Sequence, residues 1–243
     1  MTVLVITGTG TEVGKTVTTA AVAAAAVAAG RSVAVLKPAQ TGVGPREHGD
    51  ADEAARLAGA VTTLELGRYP EPLAPATAAR RAGLAPVRPG AVAEAAGKLA
   101  VEHDLVLVEG AGGLLVRLDD EGGTLADVAT LLDAPVLLVV AAGLGTLNTT
   151  ELTARELRGR GLDLTGLVIG SWPGSADLAS RCNLADLPVV AGAPLLGALP
   201  AGAGARPPAL FRSEAPGWLA PKLGGTWDAD AFALSWPESG ASA

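Results

Sequence analysis

A glycine loop that carries a lysine and a threonine, Gly8-Thr9-Gly10-Thr11-Glu12-Val13-Gly14-Lys15-Thr16, stands near the start of the 243-residue chain. Glycines let backbone N–H groups turn inward around phosphate oxygens. A helix that starts where the loop ends adds partial positive charge at the same point. Lys15 can reach the outer phosphates of a nucleotide, and Thr16 can set its hydroxyl on Mg²⁺. Five residues separate Gly8 from Gly14, one more than the usual phosphate loop allows. The bland alternative is a glycine-rich turn with an incidental Gly-Lys-Thr. The order strand, loop, helix argues against it.

Three further segments could serve the same site. Lys37, in Lys37-Pro38-Ala39-Gln40-Thr41-Gly42, ends an apolar run. A lysine there can neutralise charge on a phosphoryl group in transfer; a strand-capping surface lysine is the plainer reading. Glu109 ends the run Leu105-Val106-Leu107-Val108 and is followed by Gly110-Ala111-Gly112-Gly113. A carboxylate at that place can bind Mg²⁺ directly or through water. Asp50 and Asp52 open a helix after a glycine-rich loop. Either can cap that helix or complete a Mg²⁺ site, and spacing does not choose between them. His48 and His103 lie in solvated positions, without the paired spacing that zinc needs.

These residues need strands to aim them. Apolar runs predict strands at Val3–Thr7, Val33–Lys37, Leu105–Val108, Pro135–Ala141, Leu167–Ile169 and Leu195–Leu199. Helices are predicted at Thr16–Ala29, Asp50–Ala58, Ala76–Ala82, Gly90–Val101, from the Thr124 cap to Leu132, and Leu147–Arg160. Tyr69 to Pro75 reads as an extended connection. Such alternation predicts an α/β fold, a mostly parallel sheet with helices on both faces. Ligands of such sheets bind beyond the carboxyl ends of the strands. Thr7-Gly8, Lys37, Glu109, Ala141 to Asn148 and Gly170-Ser171 all fall there.

Composition narrows the classes. With 49% hydrophobic and 3% aromatic residues, the core must be aliphatic. A net charge of −7 argues against a nucleic-acid binder, which needs a basic face. The apolar run Ala20 to Ala29 is shorter than the ~18 residues that a membrane span needs. The single cysteine, Cys182, allows no intrachain disulfide. No basic stretch precedes the first strand, so a cytoplasmic protein is expected.

The stretched loop, Lys37-Pro-Ala-Gln-Thr-Gly42 and Val108-Glu-Gly-Ala-Gly-Gly113 together resemble the dethiobiotin synthetases. Tyr69-Pro-Glu-Pro-Leu-Ala-Pro75 and Gly143-Leu-Gly-Thr-Leu-Asn148 resemble segments of the same family. The likeness covers about Thr2 to Gly204. Beyond Gly204 the pattern of strands and helices decays, so an irregular tail over 205–243 is expected, pinned in part by Trp218, Trp227 and Trp236. The likeness implies a single P-loop domain over residues 1–204. It also implies a ligase of biotin biosynthesis. Such an enzyme uses ATP, or another nucleoside triphosphate, with Mg²⁺ to close 7,8-diaminopelargonate and CO₂ (from bicarbonate) into dethiobiotin. The route runs through a carbamate and a carbamic-phosphoric anhydride.

Carried onto this chain, the resemblance implies catalytic roles for Lys15, Lys37 and Thr11. It implies Mg²⁺ ligation by Thr16, Asp50 and Glu109, favouring Asp50 over Asp52. Glu12, Val13, Gly14, Lys15, Thr16 and Val17, with Glu109, Gly110, Ala111 and Gly112, would line the triphosphate. Gly170, Ser171, Pro200, Ala201 and Gly202 would lie by the base. Thr41 would meet the substrate. Leu147 and Asn148 would reach it from the other subunit of a homodimer. An asparagine that usually reads adenine in the family is replaced by Gly170, so relaxed base selection is expected, unless Ser171 or a backbone carbonyl restores it. Two rivals share the scaffold. An amidation ligase of cobalamin synthesis would carry a glutaminase domain with a reactive cysteine. A nucleotide switch of the positioning type would carry a lysine early in the loop, where Thr9 and Gly10 stand.

Overall fold

The computed structural model describes residues 3–237. Among the described residues seven strands form a parallel sheet, and all but the half-exposed edge strand Thr62–Tyr69 come from apolar runs of Val, Leu and Ile. The strands are β1 (Val3–Gly8), β2 (Val33–Thr41), β3 (Thr62–Tyr69), β4 (Leu105–Gly113), β5 (Val136–Val140), β6 (Leu164–Trp172) and β7 (Leu195–Pro200). The sheet order is β3-β2-β4-β1-β5-β6-β7, and every pair in it is parallel.

Nine α-helices occur among the described residues: α1 (Lys15–Ala28), α2 (Asp50–Ala58), α3 (Pro75–Ala82), α4 (Pro89–Glu102), α5 (Leu125–Leu132), α6 (Thr146–Gly159), α7 (Leu178–Ala191), α8 (Pro208–Glu214) and α9 (Ala229–Leu234). Two apolar cores flank the sheet. One gathers α1, α2, α7 and the C-terminal segment. The other gathers α3, α4 and α5, and α6 contributes Ala154 to the first and Leu157 to the second. The six alanines at 20, 21 and 23 to 26 of α1, and Val22 among them, are all buried. Alanine is the best helix former, and its small side chain lets the helix lie close on the strands. Helix α5 starts at a reciprocal cap: Thr124 N–H and Oγ1–H both donate to Asp127 Oδ2, at 2.8 and 2.7 Å.

Several elements differ from the sequence expectation. Strand β2 continues through Pro38 to Thr41. Its pairing with β4 ends at Leu36, while its pairing with β3 goes on, so the proline falls where one neighbour has already gone. Strand β3 and helix α7 have no counterpart among the predicted elements. The segment after residue 204 is not an irregular tail as far as Trp236. It carries α8, α9 and 3₁₀ turns at Ala203–Ala205, Ala215–Trp218 and Pro221–Leu223. Phe211, Leu219, Leu223 and Trp227 are buried, and Trp172 of β6 packs edge-on against Phe232 and Trp236. Sheet, helices and this segment make one domain. The expected irregular end at 240–243 lies outside the described residues.

Candidate active site

Strand β1 sits between β4 and β5, so the loop that leaves it opens where the chain switches from one side of the sheet to the other. A cavity of 790 Å³ lies at this carboxyl end, where such sheets bind ligands. Of the expected residues, Thr11, Glu12, Gly14, Lys15, Thr16, Val17, Lys37, Thr41, Asp50, Ala111 and Gly112 line it.

The loop backbone is tightly specified. Glu12 takes φ 61° and Gly14 φ 96°; the first is uncommon for a residue with a Cβ and costs about 1 kcal/mol or more. A Cβ on Gly14 would come within 2.4 Å of Gly170 O, and one on Gly170 within 2.0 Å of Val13 O. The end of β6 is thus seated on the phosphate loop, and no side chain at 170 fits without moving it. Lys15 is buried, and its Nζ donates to Gly10 O at 2.8 Å. Burial, and then the charge of Lys37, pull its pKa below the ordinary value against the opposing pull of Glu109 and Asp50.

Lys37 joins the two acidic segments. Its Nζ lies 2.5 Å from Asp50 Oδ2 and 2.8 Å from Glu109 Oε1, and it donates to Gly110 O at 3.2 Å. Burial opposes the ammonium most strongly, yet the two carboxylates together outweigh it and hold the Lys37 pKa above its usual value. Thr16 Oγ1 donates to the same Glu109 Oε1 at 2.8 Å. Glu109 is fully buried, and its Oε2 has no hydrogen-bond partner. Two carboxylates and a hydroxyl, with one carboxylate oxygen uncommitted, suit Mg²⁺. That ion takes hard oxygen ligands and only one or two protein carboxylates beside phosphates and waters. Asp52 turns away: its Oδ2 accepts from Gly49 N at 2.9 Å and caps α2.

Other expected residues lie beside this cavity rather than on it. Gly170, Ser171, Pro200, Ala201 and Gly202 gather at the ends of β6 and β7, where Ala201 N donates to Trp172 O at 2.7 Å. Gly204 approaches Val17, so this corner borders the phosphate loop. Leu147 and Asn148 begin α6 outside the cavity of their own chain, and Asn148 is exposed. Conversely, Gln40, Pro72, Leu73, Ala74 and Pro75, which lie in segments that carried the resemblance but were given no role, line the cavity, as do Val43 and Val116, which no motif marked. The prolines of the extended connection were the available signal for that wall.

Comparison with known proteins agrees with this geometry. A family model described as an AAA domain matches residues 2–208. The ATP-dependent dethiobiotin synthetase BioD of Streptomyces avermitilis is 83% identical, over 96% of this chain and 98% of its own. The protein of the same name from Saccharopolyspora erythraea is 69% identical over 93% and 99%. Among solved structures, a ParA family ATPase from Chlorobium tepidum TLS matches with TM-score 0.55 at 18% identity, over 96% of this chain and 98% of that one. The cell division ATPase MinD of Pyrococcus furiosus matches with TM-score 0.52 at 19% identity, over 82% and 84%. These two likenesses speak for the fold alone. Loop, lysines, carboxylates and full-length relatives converge: the chain belongs to the dethiobiotin synthetase family.

Proposed function

We propose that the chain closes 7,8-diaminopelargonate with CO₂ to dethiobiotin at the expense of ATP, giving ADP and phosphate. The observation that carries this reading is the convergence of Lys15, Lys37, Thr16 and Asp50 on one cavity, which Thr41, Pro72, Leu73, Pro75 and Val116 also line, with Glu109 bonded to Lys37 and Thr16 behind them. The polar end suits a triphosphate; the apolar end suits the aliphatic chain of a diamine acid.

One amine of the diamine takes up CO₂ and loses a proton to become a carbamate. A carbamate oxygen then takes the γ-phosphoryl group and ADP leaves. The second amine attacks the carbamoyl carbon, phosphate departs, and the cyclic urea remains. Lys37 and Lys15 stabilise the charge on the phosphoryl group in transfer. Thr11 and Thr41 orient the carbamate and the diamine. Thr16, Asp50 and Glu109 would hold Mg²⁺, which when bound would supply further charge neutralisation beside the phosphates. Gly110, Ala111 and Gly112 let backbone approach the triphosphate, and the corner at Gly170-Ser171 and Pro200–Gly202 receives the base.

The working form is a homodimer. Leu147 and Asn148 stand outside their own cavity, and Leu144 beside them is 94% exposed, as a subunit contact would require. The substrate carboxylate meets the start of α6 of the partner, where free N–H groups point outward. A cytoplasmic location is in keeping with the need for ATP. None of the helices in the described residues is long and apolar enough to cross a membrane.

The test is turnover with diamine, bicarbonate, Mg²⁺ and nucleotide, with dethiobiotin detected by mass. Product should require all four. Nucleotide hydrolysis that ignores the diamine and yields no dethiobiotin would mean a switch rather than a synthetase.

A further inference from the structure

Asp50 is the first residue of α2, and its side chain is 39% exposed. An exposed carboxylate at the end of a glycine-rich loop makes a poor metal ligand unless something fixes the backbone that carries it. The structure holds that backbone from β2 and β3. Gln40 is buried, and its Oε1 accepts the Asp50 N–H at 2.7 Å. Its cross-strand partner on β3 is Arg68.

The Arg68 guanidinium is used on every side. Nε and Nη2 donate to the two oxygens of Glu65, each at 2.8 Å. Nη1 donates to Gly44 O at 3.1 Å and to Glu47 O at 2.6 Å, so it grips the loop 42–49 at two carbonyls. Nη2 also lies 3.6 Å from Asp52 Oδ2, the oxygen that caps Gly49 N. Gly49 is enclosed by the same groups. A Cβ there would meet Glu65 Oε1 at 2.7 Å, Gln40 Oε1 at 2.9 Å and Arg68 Nη2 at 3.0 Å. Its φ of −99° is open to any residue, so a side chain here would act by displacing the ends of these three groups rather than by straining the backbone. The peptide N–H immediately before the Asp50 Cα is thus held by Gln40, while Arg68 holds the loop that leads to it at Gly44 and Glu47.

We propose that Arg68, with Gln40 beside it, is a positioning residue of this enzyme: it fixes the loop 42–49 and the first turn of α2 so that Asp50 projects onto the Mg²⁺ site. The inference rests on the reading of Asp50 as a metal ligand. Arg68 itself lies outside the set that lines the cavity and acts only through the backbone. A lysine at this position has no fork to span a carboxylate and two carbonyls together.

The test is Mn²⁺ affinity, read by electron paramagnetic resonance on the full chain with a non-hydrolysable ATP analogue bound. Arg68→Met should weaken Mn²⁺ about 10-fold, and Arg68→Lys should fail to rescue it. In an Asp50→Asn background Arg68→Met should cost nothing further, since contacts in one network are not additive. Gln40→Met should show the same pattern and serves if Arg68→Met does not fold. Wild-type Mn²⁺ affinity in Arg68→Met overturns the proposal, as does an equal loss in both backgrounds. If Asp50→Asn alone binds Mn²⁺ like the wild type, the metal assignment of Asp50 fails first, and the proposal with it.

Discussion

Replacing Lys37 with methionine removes the ammonium that is ion-paired with both Asp50 and Glu109, and the structure sets the size of the effect. Removing one partner of a buried ion pair costs about 3–5 kcal/mol, because the other charge is left buried and alone. The Asp50 half counts for little, since that side chain is 39% exposed and such pairs give about 0–1 kcal/mol. The Glu109 half governs, at 1% exposure, and sits at the low end because Thr16 still donates to the same oxygen. About 3 kcal/mol remains, or a fall of about 6–12 °C in melting temperature for a chain of this size. Free Mg²⁺, without nucleotide, should close most of that gap, because in the wild type the Lys37 ammonium competes with the ion for the same two carboxylates. At about 100-fold excess over its dissociation constant from the variant it returns about 2.7 kcal/mol to the variant. Differential scanning calorimetry of both proteins, in chelator and in excess Mg²⁺, reads the two numbers. A gap of equal size under both conditions, or none in chelator, would refute the charge argument. Turnover by the variant should fall about 10²–10³-fold even with Mg²⁺ present, as for a lost oxyanion donor; wild-type turnover would remove Lys37 from the chemistry.

Asn148→Ala should raise KM for the diamine more than for the nucleotide, and mixed dimers of Asn148→Ala with Lys37→Ala should recover activity beyond either parent; no recovery argues against a site shared between subunits. Values of kcat/KM for ATP, GTP, CTP and UTP should lie within about 100-fold, near 2.7 kcal/mol, since Gly170 offers no side chain to the base. Gly170→Asn should weaken all four nucleotides rather than restore an adenine preference, because its Cβ meets Val13 O. The Asp127 carboxyl is held below its ordinary range: burial opposes, but Thr124 and then Arg160 outweigh it. Its stabilisation is therefore full above the unfolded value of 3.8 and is lost as pH falls through the lowered folded value. Asp127→Ala should cost about 1 kcal/mol at neutral pH in urea titrations, with the difference closing at acid pH; a difference that persists there contradicts the cap.

Buried strands announced themselves because both faces are apolar, and β1, β4 and β5 need no alternation to be seen. Edge strand β3, Thr62-Thr-Leu-Glu-Leu-Gly-Arg-Tyr69, is half-exposed and mixes polar with apolar residues, so no run marks it. Helix α7 carries Pro188 near its end, which reads as a breaker although tertiary packing overrides it. The C-terminal segment is rich in proline and glycine, and its order comes from contacts of Phe211, Leu219 and Trp227 that sequence spacing does not reveal. The charged and glycine-bearing parts of the site stood out by type. The choice of Asp50 over Asp52 did not: it depends on which oxygen caps Gly49. Gln40 and Arg68 escaped notice because their importance lies in whose backbone they hold.

The C-terminal segment also bears on how the molecule keeps to itself. Strand β7 is the last in the sheet, and an open strand edge is a template for any passing chain. Here Leu219 bridges Gly197 in antiparallel fashion, and Ala220 N donates to Leu196 O at 2.8 Å. The opposite edge, β3, carries Glu65 and Arg68 and exposed Thr62 and Thr63, charges and polar groups that discourage pairing. One edge is guarded by its own side chains and the other by borrowed backbone. A chain cut short before Leu219 would keep its catalytic residues, yet offer β7 as a free edge, and its first failing would be self-association rather than lost chemistry.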